Sequence, residues 1–222
     1  MLSVALIGPD GAGKTTISRM LEESAPLPLK YIYMGINIEA SNYALPTSRF
    51  VEYIRRRRSG KPGQSRSLQF RKDGSGSLGA ILWAAARLVN RLADEWYRQV
   101  LSWSYQARGY IALYDRHFLF DFSLGSVTSR RPCFDERLHR WLLTHLYPRP
   151  DLIIYLDAPA GVLFARKGEK CIEELERRRQ SFLRQREKFN NFVLVDATQP
   201  LATVYTDVAR CIAQFWRTTY LG

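Results

Sequence analysis

The sequence has few cysteines and no long hydrophobic run. Its three cysteines, Cys133, Cys171 and Cys211, stand far apart and form no CxxC pair, so they predict neither a disulfide framework nor a zinc site. No apolar run approaches the roughly 18 residues that a membrane span needs. The first residues also lack the basic segment and cleavage site of a signal peptide. We therefore expect a cytoplasmic protein without a membrane span.

Acidic residues are scarce too, with 21 Asp and Glu against 33 Lys and Arg, for a net charge of +12. Much of this excess is local, because residues 55–72 contain basic side chains and no acid. The glycine- and serine-rich part of this region, residues 59–77, predicts a flexible basic insertion. It is expected to be a solvated loop, or alternatively to make weak, non-specific contact with nucleic acid or an anionic surface. The basic residues are Arg55, Arg56, Arg57, Arg58, Lys61, Arg66, Arg71 and Lys72.

Short apolar runs alternate with longer segments of helical period, which predicts an α/β fold with helices on both faces of a five-stranded parallel sheet. The length of 222 residues fits a single domain over residues 1–222. Continuous apolar content predicts that all strands except the second are central and buried on both faces. The predicted strands are Ser3–Ile7, Lys30–Tyr33, Tyr110–Tyr114, Leu152–Leu156 and Phe192–Val195. The predicted helices are 14–24, 46–57, 78–108, 135–146, 159–166, 172–189 and 200–217.

The longest predicted helix, 78–108, carries an apolar stripe at helical spacing. The stripe includes Val89, Trp96, Val100 and Trp103. Because a stripe of this kind usually faces the interior of a protein, we expect most of it to belong to the core.

Residues 8–15 read Gly8-Pro9-Asp10-Gly11-Ala12-Gly13-Lys14-Thr15 and match the phosphate-loop pattern G-x-x-x-x-G-K-S/T. The match stands directly after an apolar strand and before a helical segment, as a phosphate loop requires. Glycines let backbone N–H groups turn toward a β-phosphate, Lys14 can reach the β- and γ-phosphates, and the Thr15 hydroxyl can bind Mg²⁺. The pattern predicts nucleoside triphosphate binding but leaves the reaction open.

Four stretches together resemble the thymidylate kinase family of nucleoside monophosphate kinases. They are the loop extended by Thr16, the run Tyr114-Asp115-Arg116-His117, the strand Pro150–Asp157 and the segment Val195–Pro200. The resemblance spans nearly the whole chain in element order. It implies a P-loop kinase fold with a lid over residues 166–173, and ATP and Mg²⁺ as cofactors.

The resemblance also implies roles for residues around the transferred phosphoryl group. Asp115 would hold a Mg²⁺-bound water and form the metal site with Thr15. Arg116 would clamp the acceptor or the transferring phosphoryl group, because a guanidinium binds phosphate with two parallel hydrogen bonds. Asp10 would approach a hydroxyl group of the acceptor.

The remaining implied roles concern the nucleotide and the lid. Lys14 would act with the lid residues Arg166 and Lys167 as catalytic cations on the phosphates. The implied nucleotide-binding residues are Gly8, Asp10, Gly11, Ala12, Gly13, Lys14, Thr15 and Thr16.

The acceptor side departs from the family pattern. Tyr33-Met34-Gly35 stands where the family carries an arginine and a proline–glycine–glycine turn, and Asp94 and Glu95 stand where it carries an arginine for the acceptor phosphate. We therefore expect dTMP to be a poor acceptor. Asp94 and Glu95, together with Asp10 and Arg116, are expected to bind a small acceptor with a free hydroxyl group, such as a sugar, a lipid-linked sugar or a nucleoside.

Two other functions stay open. One is a nucleic-acid-associated protein that binds ATP as a switch, and the other is a polynucleotide 5′-hydroxyl kinase; both would use the basic segment 55–72. The pairs Asp115-Arg116 and Arg166-Lys167 favour a kinase for a small acceptor, because a switch has no need of acceptor and lid groups. The oligomeric state is open as well, with a homodimer as one option.

Overall fold

The computed structural model describes residues 1–37, 41–50, 53, 78–120, 134–168 and 171–220. The basic segment 55–72 and the predicted insertion 59–77 lie outside the described residues, as do positions 169–170 of the predicted lid. Of the predicted helix 46–57, residues 46–50 and 53 are described and are helical. In the part of the chain that is described, no helix combines the length and the apolar character needed to cross a membrane.

Five parallel strands form one sheet in the order β2–β3–β1–β4–β5. The α/β class and the five-stranded parallel sheet flanked by helices are confirmed, and each predicted strand lies within one residue of its observed bounds. The strands are β1 (Ser3–Ile7), β2 (Leu29–Tyr33), β3 (Ile111–Asp115), β4 (Leu152–Asp157) and β5 (Phe192–Asp196). The helices are α1 (Lys14–Ser24), α2 (Leu78–Ala107), α3 (Phe134–Leu146), α4 (Ala160–Lys167), α5 (Ile172–Leu183) and α6 (Leu201–Tyr220).

Two apolar cores cover the two faces of the sheet. Alternate residues of β1 enter opposite cores, because successive side chains of a strand point to opposite faces. Val4 and Leu6 pack in the core that contains buried residues of α1, α4 and α6. Ala5 and Ile7 pack in the other core, which contains Leu143 of α3 and residues of α5. Both faces of β1 are thus buried, and the ends of β1, β3 and β4 lie side by side in the middle of the sheet.

The prediction that β5 is a central strand is wrong. β5 pairs with β4 and stands at the edge of the sheet, and Leu194 in its middle is 44% exposed. Val195 is buried against the α6 side. An apolar run of this length is compatible with either position, because it shows that a strand is partly covered but not whether it has a neighbour on both sides.

The prediction that most of the apolar stripe of α2 belongs to the core is also wrong, since of the four stripe residues named above only Trp96 packs against the core. Val89 is 64% exposed, Val100 55% and Trp103 38%. The buried face of α2 is polar instead, because its charged side chains form ion pairs within the protein. The buried polar residues of this helix are Asp94, Glu95, Arg98, Gln99, Ser102 and Gln106.

Candidate active site

The loop between β1 and α1 depends on glycine at two positions. Gly8 has a φ of 151° and Gly11 a φ of 89°, both values that other residues rarely adopt. A Cβ atom at Gly8 would lie 2.7 Å from the Leu156 carbonyl oxygen, and one at Gly11 would lie 2.9 Å from the Leu163 carbonyl oxygen. The loop therefore packs closely against the end of β4 and against α4. Helix α1 begins directly after the loop, so its N-terminal N–H groups offer an anion site there.

Lys14 is the first residue of α1 and is only 4% exposed. Its Nζ atom donates a 2.7 Å hydrogen bond to the carbonyl oxygen of Pro9 in the same loop. The ammonium group is thus held within the loop, within reach of any anion that the loop binds. The neighbouring residues Thr15 and Thr16 are exposed to solvent.

Asp115 ends β3 next to this loop, because Asp115 pairs in register with Leu6 near the end of β1. Its carboxylate is fully buried. Oδ2 accepts a 2.6 Å hydrogen bond from the Thr15 hydroxyl and a 3.2 Å hydrogen bond from the Tyr31 hydroxyl. Oδ1 is buried and has no hydrogen-bond partner among the described residues. A buried, unpartnered carboxylate oxygen beside a threonine hydroxyl is an oxygen donor set that suits Mg²⁺ or one of its bound waters.

Arg116 follows with a φ of 69°, which is strained for a residue other than glycine. Its Nη2 atom donates to Asp10 Oδ1 at 2.6 Å. The other oxygen of Asp10 lies 3.6 Å from Nη1 of Arg178 on α5. The carboxylate of Asp10 therefore stands between two guanidinium groups at the edge of the loop.

The acceptor side of the site is closely packed. Gly35 has no room for a side chain, since a Cβ atom there would lie 2.5 Å from the Tyr33 hydroxyl and 2.7 Å from Cδ of Arg116. Arg98 of α2 donates to the carbonyl oxygens of Tyr33 and Gly35 at 3.1 and 3.0 Å. The segment after β2 thus connects α2 with the side chain of Arg116.

The structure gives Asp94 and Glu95 internal partners. Asp94 forms an ion pair with Arg98 and accepts a 2.8 Å hydrogen bond from the backbone N–H of Leu45. Glu95 lies 2.7 Å from a ring nitrogen of His139 and 3.4 Å from Nε of Arg91. Both carboxylates are 2% exposed. The role of Asp94 and Glu95 as ligands of the acceptor remains a prediction. The structure does not support it, because all four carboxylate oxygens have partners within the protein.

The predicted lid residues lie on the side of β4 and β5. Arg166 donates a 2.8 Å hydrogen bond to the carbonyl oxygen of Ala197, in the loop after β5. Lys167 is exposed at the end of α4. Arg179 binds both carboxylate oxygens of Asp157 at 2.7 and 2.9 Å, and this pairing raises the pKa of the guanidinium.

Sequence reasoning did not single out Tyr31 or Arg178 as site residues. Tyr31 lies on β2, which is the neighbour of β3, so only the strand order and register reveal its contact with Asp115. Arg178 is one of three consecutive arginines on α5, and only the packing of that helix shows which one faces Asp10. The residues that the sequence did bring together at this site are Asp10, Lys14, Thr15, Asp115 and Arg116.

Comparison with known proteins identifies no family for this chain, since neither a protein-family model nor a curated protein matches it. Any statement about function therefore depends on the geometry of this site and on the motifs themselves.

Proposed function

We propose that this protein is an ATP-dependent phosphotransferase, similar to thymidylate kinases, that transfers the γ-phosphoryl group of ATP to a small acceptor. One observation supports this proposal above the others. The Thr15–Asp115 hydrogen bond and the Arg116–Asp10 ion pair meet at one glycine loop, at the carboxyl ends of β1 and β3. Open α/β sheets bind their ligands at this edge.

The loop and the start of α1 bind the nucleotide phosphates in this proposal. Backbone N–H groups contact the β-phosphate, and Lys14 exchanges the Pro9 carbonyl for the β- and γ-phosphates. Thr15 and Asp115 hold Mg²⁺, directly or through water, and the bound ion neutralises the charge of the phosphates. The described residues contain no group of three or more acidic, His or Cys side chains that could by themselves hold a metal ion. A Mg²⁺ ion in such an enzyme needs only one or two protein ligands, because water and phosphate oxygens supply the rest.

Arg116 and Arg178 both pair with Asp10, at the end of the loop where the acceptor is proposed to bind. The two guanidinium groups share the single negative charge of Asp10, and Arg178 also pairs with Glu174. With ATP bound, the two guanidinium groups turn toward the transferring phosphoryl group, where negative charge is spread over the equatorial oxygens. Asp10 is then left to accept a hydrogen bond from the hydroxyl group of the acceptor.

Arg166 acts on the base side of the nucleotide in this proposal, because the resemblance to thymidylate kinases implies that the loop Ala197–Pro200 lies under the adenine. Its guanidinium is held at the Ala197 carbonyl, after the last strand, rather than at the loop 8–15. Arg166 therefore helps to bind the base or the ribose, and Lys167 is the remaining cation of the lid.

The acceptor is proposed to carry a hydroxyl group and no phosphate, so dTMP is a poor substrate. Arg98 supports this conclusion because its guanidinium is 2% exposed and bonded to Asp94, Tyr33 and Gly35. A phosphate could recruit it only by leaving the Asp94 carboxylate buried without its partner, which is costly.

The test measures ATP consumption with a panel of sugars, nucleosides, nucleotides and an oligonucleotide with a 5′-hydroxyl end. Lys14→Ala should abolish transfer and weaken ATP binding sharply, because the cation contacts the nucleotide. Arg116→Ala should abolish transfer but leave ATP affinity within a few-fold. Arg210→Ala, which removes an exposed arginine of α6, is the matched control and should keep full activity.

Four outcomes would change the proposal. If both site variants keep turnover within a few-fold of the wild type, the proposed site is wrong. Phosphorylation of the oligonucleotide alone would favour the polynucleotide 5′-hydroxyl kinase, and ATP binding without transfer to any acceptor would favour the ATP switch. Efficient turnover of dTMP at micromolar concentration would overturn the acceptor class.

A further inference from the structure

Asp115 receives a hydrogen bond from a strand that carries none of the recognised motifs. Tyr31 on β2 is 5% exposed, and its hydroxyl lies 3.2 Å from Asp115 Oδ2. Tyr31 pairs in register with Leu113, two residues before Asp115, so its phenol ring extends along the sheet to the end of the neighbouring strand. The second tyrosine of β2, Tyr33, pairs directly with Asp115, yet its hydroxyl lies against Gly35.

We propose that Tyr31 is a positioning residue for the metal site, which holds the Asp115 carboxylate in the orientation that leaves Oδ1 for Mg²⁺ or a Mg²⁺-bound water. This inference rests on the function proposed above. Tyr31 acts through Asp115 and touches neither the nucleotide nor the acceptor.

The hydrogen bonds of Asp115 are divided unequally between its two oxygens. Oδ2 accepts from both Thr15 and Tyr31, whereas Oδ1 has no partner among the described residues. An ionised carboxylate only accepts hydrogen bonds, so the phenol must donate.

Removal of the Tyr31 hydroxyl leaves Asp115 with the Thr15 bond alone. Thr15 is an exposed residue at the start of α1, and its hydroxyl is itself a proposed ligand of the metal, so this bond alone holds Asp115 less firmly. The carboxylate is then free to rotate, and the metal loses a fixed oxygen. Changes to groups that orient a metal ligand typically lower metal affinity 10- to 100-fold.

The experiment measures the binding of a fluorescent ATP analogue, with and without Mg²⁺, to the wild type, Tyr31→Phe and Tyr33→Phe. Tyr31→Phe should raise the Mg²⁺ concentration for half-maximal enhancement of binding about tenfold, while binding without Mg²⁺ stays unchanged. Tyr33→Phe removes a hydroxyl from the same face of the same strand and should leave both quantities as in the wild type. In an Asp115→Asn background, Tyr31→Phe should have no further effect on the Mg²⁺ dependence.

An unchanged Mg²⁺ dependence in Tyr31→Phe would overturn the inference and leave the proposed function intact. Equal weakening of binding with and without Mg²⁺ would show a purely structural role and would overturn it as well. A further loss in the Asp115→Asn background would do the same, because it would show that Tyr31 acts by another route. Failure of the wild type to bind the analogue at all would overturn the proposed function itself.

Discussion

At the scale of single residues, His117 has the least expected environment. It follows Arg116 directly and is fully buried, and neither ring nitrogen has a hydrogen-bond partner among the described residues. Aromatic rings surround it, with Tyr114 and Tyr147 at centroid distances of 5.5 and 5.7 Å. Burial lowers the pKa of this imidazole to about 3. His117 is therefore neutral in the folded protein across the ordinary pH range.

This burial predicts a loss of stability in mild acid. The pKa of His117 in the folded state lies below its value near 6.5 in the unfolded state. The contribution of neutral His117 to the free energy of unfolding is therefore complete above pH 6.5 and is lost as the pH falls toward 3. Between pH 7 and pH 5 the loss is about 2 kcal/mol. Urea unfolding at both pH values should show a smaller difference for His117→Phe than for the wild type. His145→Phe, at an exposed position of α3, should behave as the wild type, and an equal pH dependence in all three proteins would contradict the argument.

At the scale of elements, the pattern of apolar residues predicts where the strands lie, but not which face of a helix points toward the core. β1, β3 and β4 were predictable because short apolar runs bounded by turns have few alternatives. The stripe of α2 was misassigned because periodicity shows which residues share a face, and not which face points inward. Asp94 and Arg98 are one turn apart and pair with each other, so the polar face of α2 could be buried without a free charge.

The contacts of the site likewise divide into those that could be expected before the structure and those that could not. The loop 8–15 and the pair Asp115-Arg116 could be brought together only through the family resemblance, which implies that their strands are neighbours, and neighbouring parallel strands end at the same edge of the sheet. The contacts of Tyr31 and Arg178 could not, because they depend on strand register and on the orientation of α5.

The ion pair between Asp94 and Arg98 predicts strong coupling between these two side chains. Arg98→Met leaves a buried carboxylate unpaired and should destabilise the protein by about 3–5 kcal/mol. The double variant Asp94→Leu/Arg98→Met should recover part of this loss, since neither charge of this pair is then left buried. Arg210→Met breaks an exposed pair with Asp207 and should change the free energy of unfolding by no more than about 1 kcal/mol. A double-mutant cycle with no coupling between Asp94 and Arg98 would contradict this account.

At the scale of the whole molecule, α2 and α3 each carry exposed apolar side chains, and the two helices pack against each other. Trp96 lies between the stripe of α2 and the core, because its ring is 6.1 Å from that of the exposed Trp103 and 5.6 Å from that of the buried Tyr147, which follows α3. Large exposed apolar patches mark interaction sites in soluble proteins. We call this surface the α2–α3 face, and its exposed apolar members are Val89, Val100, Trp103, Leu138 and Trp141.

A second copy of the chain is the partner that we predict for the α2–α3 face. A two-fold axis brings the same apolar surface of two subunits together, and such dimers are the commonest soluble oligomers. Sedimentation at micromolar concentration should therefore give a dimer of the 25.7 kDa chain. Val100→Asp should weaken the dimer at least about 100-fold, because an unpaired carboxylate buried at the interface costs several kcal/mol. Leu201 is also exposed but lies at the start of α6, so Leu201→Asp should leave the dimer intact. A monomeric wild type would contradict this prediction.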